Sequence, residues 1–348
     1  MDLRSTLGGD EIGGIWGSGD FRFHHFLETR RAPSRMSRMR RSSALPEILC
    51  IGHAAYDLSV FVRGFPAENT KEETTEVLEA GGGPAANAAY LLSSWGVPCA
   101  FAGLLGDDRY GRRILAEFAE VGTDVSVVET RPGLATPFSV ILVNLLNGSR
   151  TLINRKAGHA SLRIDEAALA RRSPRTLLFD GHELPASLLA LKRFPEAISI
   201  LDAGSLREGT ASLAGKVKYL IASEKFALQV CRLSSLRDKR ARRAAIAQLR
   251  ARYGNIVGIT LGEHGLIADD GSGYFEMPAF KAQTVDTTAA GDIFHGAFAY
   301  AVARRLDFRD ALRWAAMAAS LSVRHKGGRP SIPTLARVKK ALRNHAHL

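Results

Sequence analysis

An α/β domain with a central, mostly parallel β-sheet and a small side sheet is the fold this sequence predicts. Three observations carry it. Short apolar runs alternate with segments of helical periodicity through the second half of the chain. Each run closes on a polar residue or glycine at the same end. One pair of apolar runs flanks Asn147-Gly148, the strongest short hairpin signal. Alternating strand and helix implies parallel strands joined by right-handed crossovers, with a ligand crevice outside the strands' carboxyl ends.

In order, Ile48-Leu49-Cys50-Ile51-Gly52 is a short apolar run ending in glycine, a buried strand. It leads through His53-Ala54-Ala55-Tyr56 to Asp57, just past its end, where open α/β sheets bind ligands. Leu58 to Arg63 and Lys71 to Leu78 are partly alternating runs with no crossover helix after them, so they are assigned to the side sheet. Next, Gly81-Gly82-Gly83-Pro84 opens a helix running to Trp95. Such bare backbone can approach a ligand, and Asn87, with a donor and an acceptor, suits sugar hydroxyls; a tight helix-opening turn explains the glycines equally well. Val97 to Leu104 is strand-like and Tyr110 to Val121 helical; Phe138–Leu146 and Arg150–Asn154 pair as antiparallel strands of the side sheet. Then come four short runs ending at Asp180-Gly181, Asp202-Ala203-Gly204, Ser223-Glu224 and Leu261-Gly262-Glu263-His264-Gly265. Helices are predicted at Glu183–Phe194, Ala241–Tyr253 and Phe308 to about Val323.

The chemistry concentrates in Thr284-Val285-Asp286-Thr287-Thr288-Ala289-Ala290-Gly291-Asp292, which runs into a helix. Ala289, Ala290 and Gly291 leave their N–H groups open at a helix start, where the dipole is positive, and this makes an anion cradle. Asp292 follows inside the first turn. A carboxylate base beside a phosphate cradle is what phosphoryl transfer to a hydroxyl requires, although an Asp there also serves simply as a helix cap.

The 348 residues suffice for one large α/β domain, 46% of them are hydrophobic, and no apolar run is long enough to cross a bilayer. Residues 1–46 are rich in Gly, Ser and Arg without periodicity and read as a disordered basic tail; 47–342 form the domain, with side-sheet strands within about 58–80 and 136–156, and 343–348 a terminal tail. The scattered Cys50, Cys99 and Cys231 have no metal spacing and fit buried thiols in a reducing cytoplasm. Net charge is +12, with a dense run in Arg232–Arg252. That run continues into an apolar helical face (Ile246, Leu249, Tyr253), which favours a solvated basic face over a nucleic-acid contact.

Asp286-Thr-Thr-Ala-Ala-Gly-Asp292 resembles the C-terminal signature of the ribokinase-like, or PfkB, carbohydrate kinases, and Gly81-Gly-Gly-Pro-Ala-Ala-Asn87 resembles their N-terminal one. The likeness spans about Ile48 to Leu342. It implies a ribokinase-like three-layer sandwich whose small sheet is a lid that excludes water and serves in homodimer contacts. It implies ATP and Mg²⁺ as cofactors, with a potassium ion besides, and a sugar as partner, with no membrane. By position, Asp292 would be the base; Ala289, Ala290 and Gly291 the anion hole; Asp57, Gly82, Gly83 and Asn87 the sugar site. Thr260, Gly262 and Gly265 match the adenine-nucleotide loop. Asp286, Thr288, Ser322, His325, Gly327 and Ser331 fall where ribokinases bind potassium.

One departure stands out. The family commonly has Asn-x-x-Glu near metal and phosphates; here Ser223-Glu224-Lys225-Phe226 stands instead, so the magnesium contact would fall to Glu224. Asp202-Ala-Gly-Ser-Leu-Arg207 resembles a phosphate-side motif, with Arg207 as its cation. Lys326-Gly-Gly-Arg329 and the glycine motif are similar to the sulfofructose kinase branch, where Lys71 and Asn154 fall at substrate contacts; the position of that branch's anion-binding arginine holds His182. The leading expectation is an ATP-dependent sugar kinase acting on a primary hydroxyl of a ketose or other furanose. The alternatives are a nucleoside kinase and a non-catalytic, kinase-like regulatory or nucleic-acid-binding protein. A dinucleotide dehydrogenase lacks its glycine fingerprint here.

Overall fold

Eight strands form the central sheet of the computed structural model, which describes residues 48–156, 158 and 160–345. Their order across the sheet is Tyr274–Met277, Leu266–Asp269, Ile256–Thr260, Tyr219–Ser223, Ile198–Ala203, Thr176–Phe179, Ile48–Ile51 and Cys99–Ala102. The last six are parallel and the first two close the edge antiparallel. Ile48–Ile51 and Cys99–Ala102 are buried at every position because helices cover both faces. Ile48 and Cys50 point into one apolar layer, Leu49 and Ile51 into the other. This is the expected three-layer sandwich, and the described residues all belong to one compact unit. The expected tail at 1–46 lies outside the described residues, as do 346–348; the last helix, Leu335–Asn344, runs two residues past the expected domain end at 342.

A mixed four-stranded sheet stands apart, in the order Val77–Gly82, Ala55–Val62, Phe138–Asn144, Arg150–Arg155. Phe61, Ile141 and Val143 form its own small core. Two expectations need correction. Residues 71–76 are not strand: Lys71-Glu72-Glu73 have no apolar face to bury, and pairing begins at Val77 and runs into Gly82, opposite Ala55. The Asn147-Gly148 turn is wider than a two-residue hairpin. The first strand ends at Asn144, Gly148 N–H donates to Asn144 O at 2.8 Å, and Leu146 is left 75% exposed. The edge pair at Leu266–Met277 and a short ribbon, Leu104–Gly106 with Glu129–Arg131, were not anticipated.

Two helices set the site. Pro84–Ser94 and Ala290–Ala303 pack through small residues: a Cβ on Gly296 would stand 3.0 Å from Ala88 Cα. That close approach brings their first turns together. All three cysteines are free and buried. Among the described residues no helix is long and apolar enough to cross a membrane. The basic run feeds helix Lys239–Tyr253, which buries Ala245, Ile246 and Leu249.

Candidate active site

The first turn of Ala290–Ala303 carries Asp292. Ala289 precedes it in the left-handed region (φ 59°), a conformation alanine rarely adopts, and the Ala290 N–H that follows donates back to Thr287 O at 3.3 Å. His295, one turn on, pins the helix to the sheet. Its Nδ1 lies 2.7 Å from Gly291 O and 3.2 Å from Asp202 Oδ2, and its Nε2 3.2 Å from Ile221 O. Burial pushes Asp202 up to about 7, against the opposing pull of His295.

Asn87, 2% exposed, donates from Nδ2 to Asp292 Oδ2 at 2.7 Å. Its Oδ1 accepts from Arg329 Nε at 3.3 Å. The two motifs singled out in the sequence therefore meet through Asn87 and Asp292. Asp292 sits in the wall of a cavity of about 610 Å³, keeping part of its surface open although protein surrounds it on most sides. Burial raises its carboxyl above the ordinary value, the Asn87 bond opposing. Asp57 lines the same cavity from strand Ala55–Val62, where burial pushes it up to about 6, with Ser139 lowering and the Asp292 charge raising it. Gly82 exists for Asp57: a Cβ there would stand 1.9 Å from its carboxylate. Gly83 (φ +96°) would meet His53 O at 2.5 Å. Above Gly291, by contrast, a Cβ meets nothing within 4 Å, so the space a phosphate would need is open.

The cavity gathers Asp57, Gly83, Asn87, Asn154, Arg207, Thr288, Ala289, Gly291 and Asp292. Lys71 lies in an exposed loop outside its lining, and Thr260, Gly262, Gly265, Ser223 and Glu224 are also outside it. The Ser223 hydroxyl is committed as a helix cap: it accepts Phe226 N–H at 3.1 Å and donates to Gly204 O at 2.8 Å. Arg207 touches His182, whose ring stacks on His53 at 4.5 Å. Burial, aided by the cationic neighbours, holds His53 down near 4, so it stays neutral at pH 7. Beneath the pair Asp180 accepts N–H bonds from His53, Ala85 and His182 at 2.8, 3.1 and 2.9 Å.

Asp286, 1% exposed, ties the anion loop to the 324–331 loop, accepting Thr288 N–H and Gly327 N–H at 2.8 Å each. Thr288 Oγ1 is buried without a partner. Ser322 and Ser331 donate to Ala319 O and Gly328 O, and the His325 ring lies exposed against Arg337. The lid reaches this segment too: Arg150 Nη1 donates to Thr287 O at 2.8 Å, and Thr287 Oγ1 to Gly148 O at 3.1 Å. Sequence reasoning missed Glu117, Ser139, Arg150, Lys156 and the burial of Arg329. No local pattern marks them; only the packing does.

Fold and site together define a phosphoryl-transfer protein acting on a small hydroxylated acceptor. Residues 45–335 match the pfkB family of carbohydrate kinases, and the chain belongs to that family. It is an ATP-dependent carbohydrate kinase of the ribokinase-like kind. A stretch of 99 residues is 39% identical to ribokinase of Lactococcus lactis, covering 28% of this chain and 33% of that protein. Ribokinase of Bacillus subtilis is 28% identical over 304 residues, 85% of this chain and 99% of that one. The structure of Arabidopsis thaliana ribokinase complexed with ribose and ATP superposes with a TM-score of 0.72 at 26% identity, covering 86% of this chain and 99% of that one.

Proposed function

We propose that this kinase transfers the terminal phosphoryl group of ATP to a primary hydroxyl of a furanose-forming sugar, with Asp292 as the base. The observation that carries the reading is the Asn87–Asp292 bond in the wall of a cavity, beside open space at a helix start. Asp292 takes the hydroxyl proton as the oxygen attacks. N–H groups of Ala289 and Gly291, with that of Ala290 leaving its 3.3 Å bond to Thr287 O, hold the transferring phosphate as charge builds on its oxygens. Asp57, Gly82, Gly83, Asn87 and Asn154 hold the sugar, Asp57 as acceptor for its hydroxyls. The Thr260–Gly265 turn, with Ser223 capping the helix beside it, holds the nucleotide.

Mg²⁺ would enter with the nucleotide's phosphates and neutralise charge there. Among the described residues no group of three or more His, Cys, Asp or Glu could hold a metal, which suits an ion carried mainly by phosphate oxygens and water, with Glu224 as the carboxylate that would contribute. A potassium ion fits near Asp286: one buried carboxylate, an unpartnered Thr288 hydroxyl and two converging loops suit a singly charged ion, with Ser322, His325, Gly327 and Ser331 contributing backbone oxygens. Among the described residues, the lid carries six of the eight large exposed apolar side chains, Phe65, Val77, Leu145, Leu146, Leu152 and Ile153, which supports a homodimer through that sheet. Light scattering of wild type against Leu146→Glu plus Ile153→Glu tests it: a dimer reduced to monomer is expected, and a monomeric wild type rejects it.

A second reading of the acceptor rests on Arg207 and Lys156. Both line the cavity beside His182, and among the described residues neither has a carboxylate salt bridge. This favours an acceptor bearing an anionic substituent. A coupled ADP assay over ketoses, pentoses, sugar acids, sulfosugars and nucleosides, with and without potassium, separates the readings. Turnover on nucleosides alone, or on nothing, rejects the sugar assignment.

A further inference from the structure

Asn87 is held from behind by a buried arginine. Arg329 is 5% exposed, and the rings of Tyr90 and Phe118 lie 4.8 and 4.7 Å from its guanidinium carbon. Its Nη1 donates to Glu117 Oε2 at 2.5 Å, and Glu117 in turn accepts Gly81 N–H at 2.9 and 3.0 Å. A Cβ on Gly81 would stand 2.3 Å from Arg329 Nη1, so the glycine motif makes room for this side chain as well as for Asp57. The loop, the glycine motif and the helix bearing Glu117 thus close on one guanidinium.

The chemistry of that guanidinium dictates the next contact. It can only donate, so Nε selects the oxygen end of the Asn87 amide at 3.3 Å. The nitrogen end is then turned to Asp292 Oδ2, 2.7 Å away. An ionised carboxylate only accepts. The reversed amide would set oxygen against oxygen at Asp292 and N–H against N–H at Arg329.

We propose that Arg329, clamped by Glu117, is a positioning residue for phosphoryl transfer, locking the Asn87 amide in the orientation that donates to Asp292. The proposal rests on Asp292 acting as the base. Other charged groups that bear on Asp292 include Arg150, His295 and Asp180; the Asp292 charge in turn reaches Asp57 and Asp202, and the Arg329 guanidinium itself lowers Asp57.

Two arms on the full chain test it. In the first, the Asp292 carboxyl carbon is titrated by ¹³C NMR without acceptor, the resonance being assigned with Asp292→Asn. Arg329→Gln is expected to move that titration upward by about half a pH unit or more, because the carboxylate loses a fixed donor. Arg329→Lys, which keeps a positive donor, is expected to return it part of the way. In the second arm, kcat of Arg329→Gln falls roughly tenfold while the KM for ATP stays within about twofold. If Arg329→Gln does not fold, Glu117→Gln leaves the guanidinium in place but unclamped, and must move the same titration in the same direction. A folded variant with wild-type titration and kcat overturns the proposal. So does a fall in kcat with an unmoved titration, the mark of a merely structural role. Should Asp292→Asn turn over normally, the base assignment fails by itself, and the titration still reports on the relay.

Discussion

Asn87 and Asp292 are 205 positions apart in the chain and 2.7 Å apart in the fold. The contact exists because two helices rich in small residues pack closely enough for side chains of their first turns to meet. Gly296 is the narrowest point, a hypothetical Cβ there standing 3.0 Å from Ala88 Cα.

Gly296→Val should therefore separate the pair. Overpacking of this kind costs about 1–3 kcal/mol, so urea unfolding should show a lower midpoint. Turnover should fall further than stability accounts for, because Asn87 no longer reaches Asp292. Normal kcat in a folded variant contradicts this.

Gly291→Ala should do the reverse. Nothing stands within 4 Å of the added methyl, and alanine is a better helix former than glycine by about 1 kcal/mol. The melting temperature should hold or rise. Turnover should drop roughly tenfold or more, since the methyl occupies space kept for a phosphate. Unchanged kcat argues against an anion hole at this turn.

Acid should inactivate earlier than ordinary carboxylates predict. Burial raises both Asp57, to about 6, and Asp292, and on the proposed mechanism Asp57 must be ionised to accept the acceptor's hydroxyl hydrogen bonds and Asp292 to take its proton. The acid limb of kcat/KM should lie near 6. The sign for stability is opposite. Folded Asp57 binds its proton more tightly than the unfolded chain does, so its charge weighs against folding above about 6 and is relieved as pH falls toward the ordinary value. Asp57→Asn should thus raise the melting temperature at pH 7 by a few degrees, to order of magnitude, while acceptor binding is lost. A lower melting temperature contradicts the assignment.

The parallel core was legible because its strands are buried on both faces and end in glycine or aspartate, as Thr176–Phe179 does before Asp180. Lys71 to Glu76 misled because the alternating run that begins at Val77 was extended back over six polar residues that have no apolar face to bury. The edge strand Tyr274–Met277 was missed since it is only partly buried. Within the site, Asp57, Asn87 and Asp292 stood out through their motifs. Glu117 did not, and Arg329 was legible only as part of the Lys326-Gly-Gly-Arg329 likeness: its burial against two rings is a product of the packing. The bond from the Ser223 hydroxyl to Gly204 O is likewise a matter of packing.

Asp286→Ala should destabilise strongly. It strips two buried N–H groups, on Thr288 and Gly327, of a charged acceptor. Bonds to charged groups are worth about 1.5–3 kcal/mol each, so a loss of several kcal/mol is expected in urea unfolding, with any potassium dependence of turnover abolished. A variant as stable as wild type would mean that Asp286 does not tie the two loops together.

The most direct test is Asp292→Asn, assayed for turnover on the best acceptor and for ATP binding by calorimetry. Loss of kcat by about a thousandfold, with ATP affinity unchanged, is the predicted result. Full turnover in the folded variant contradicts a base at position 292.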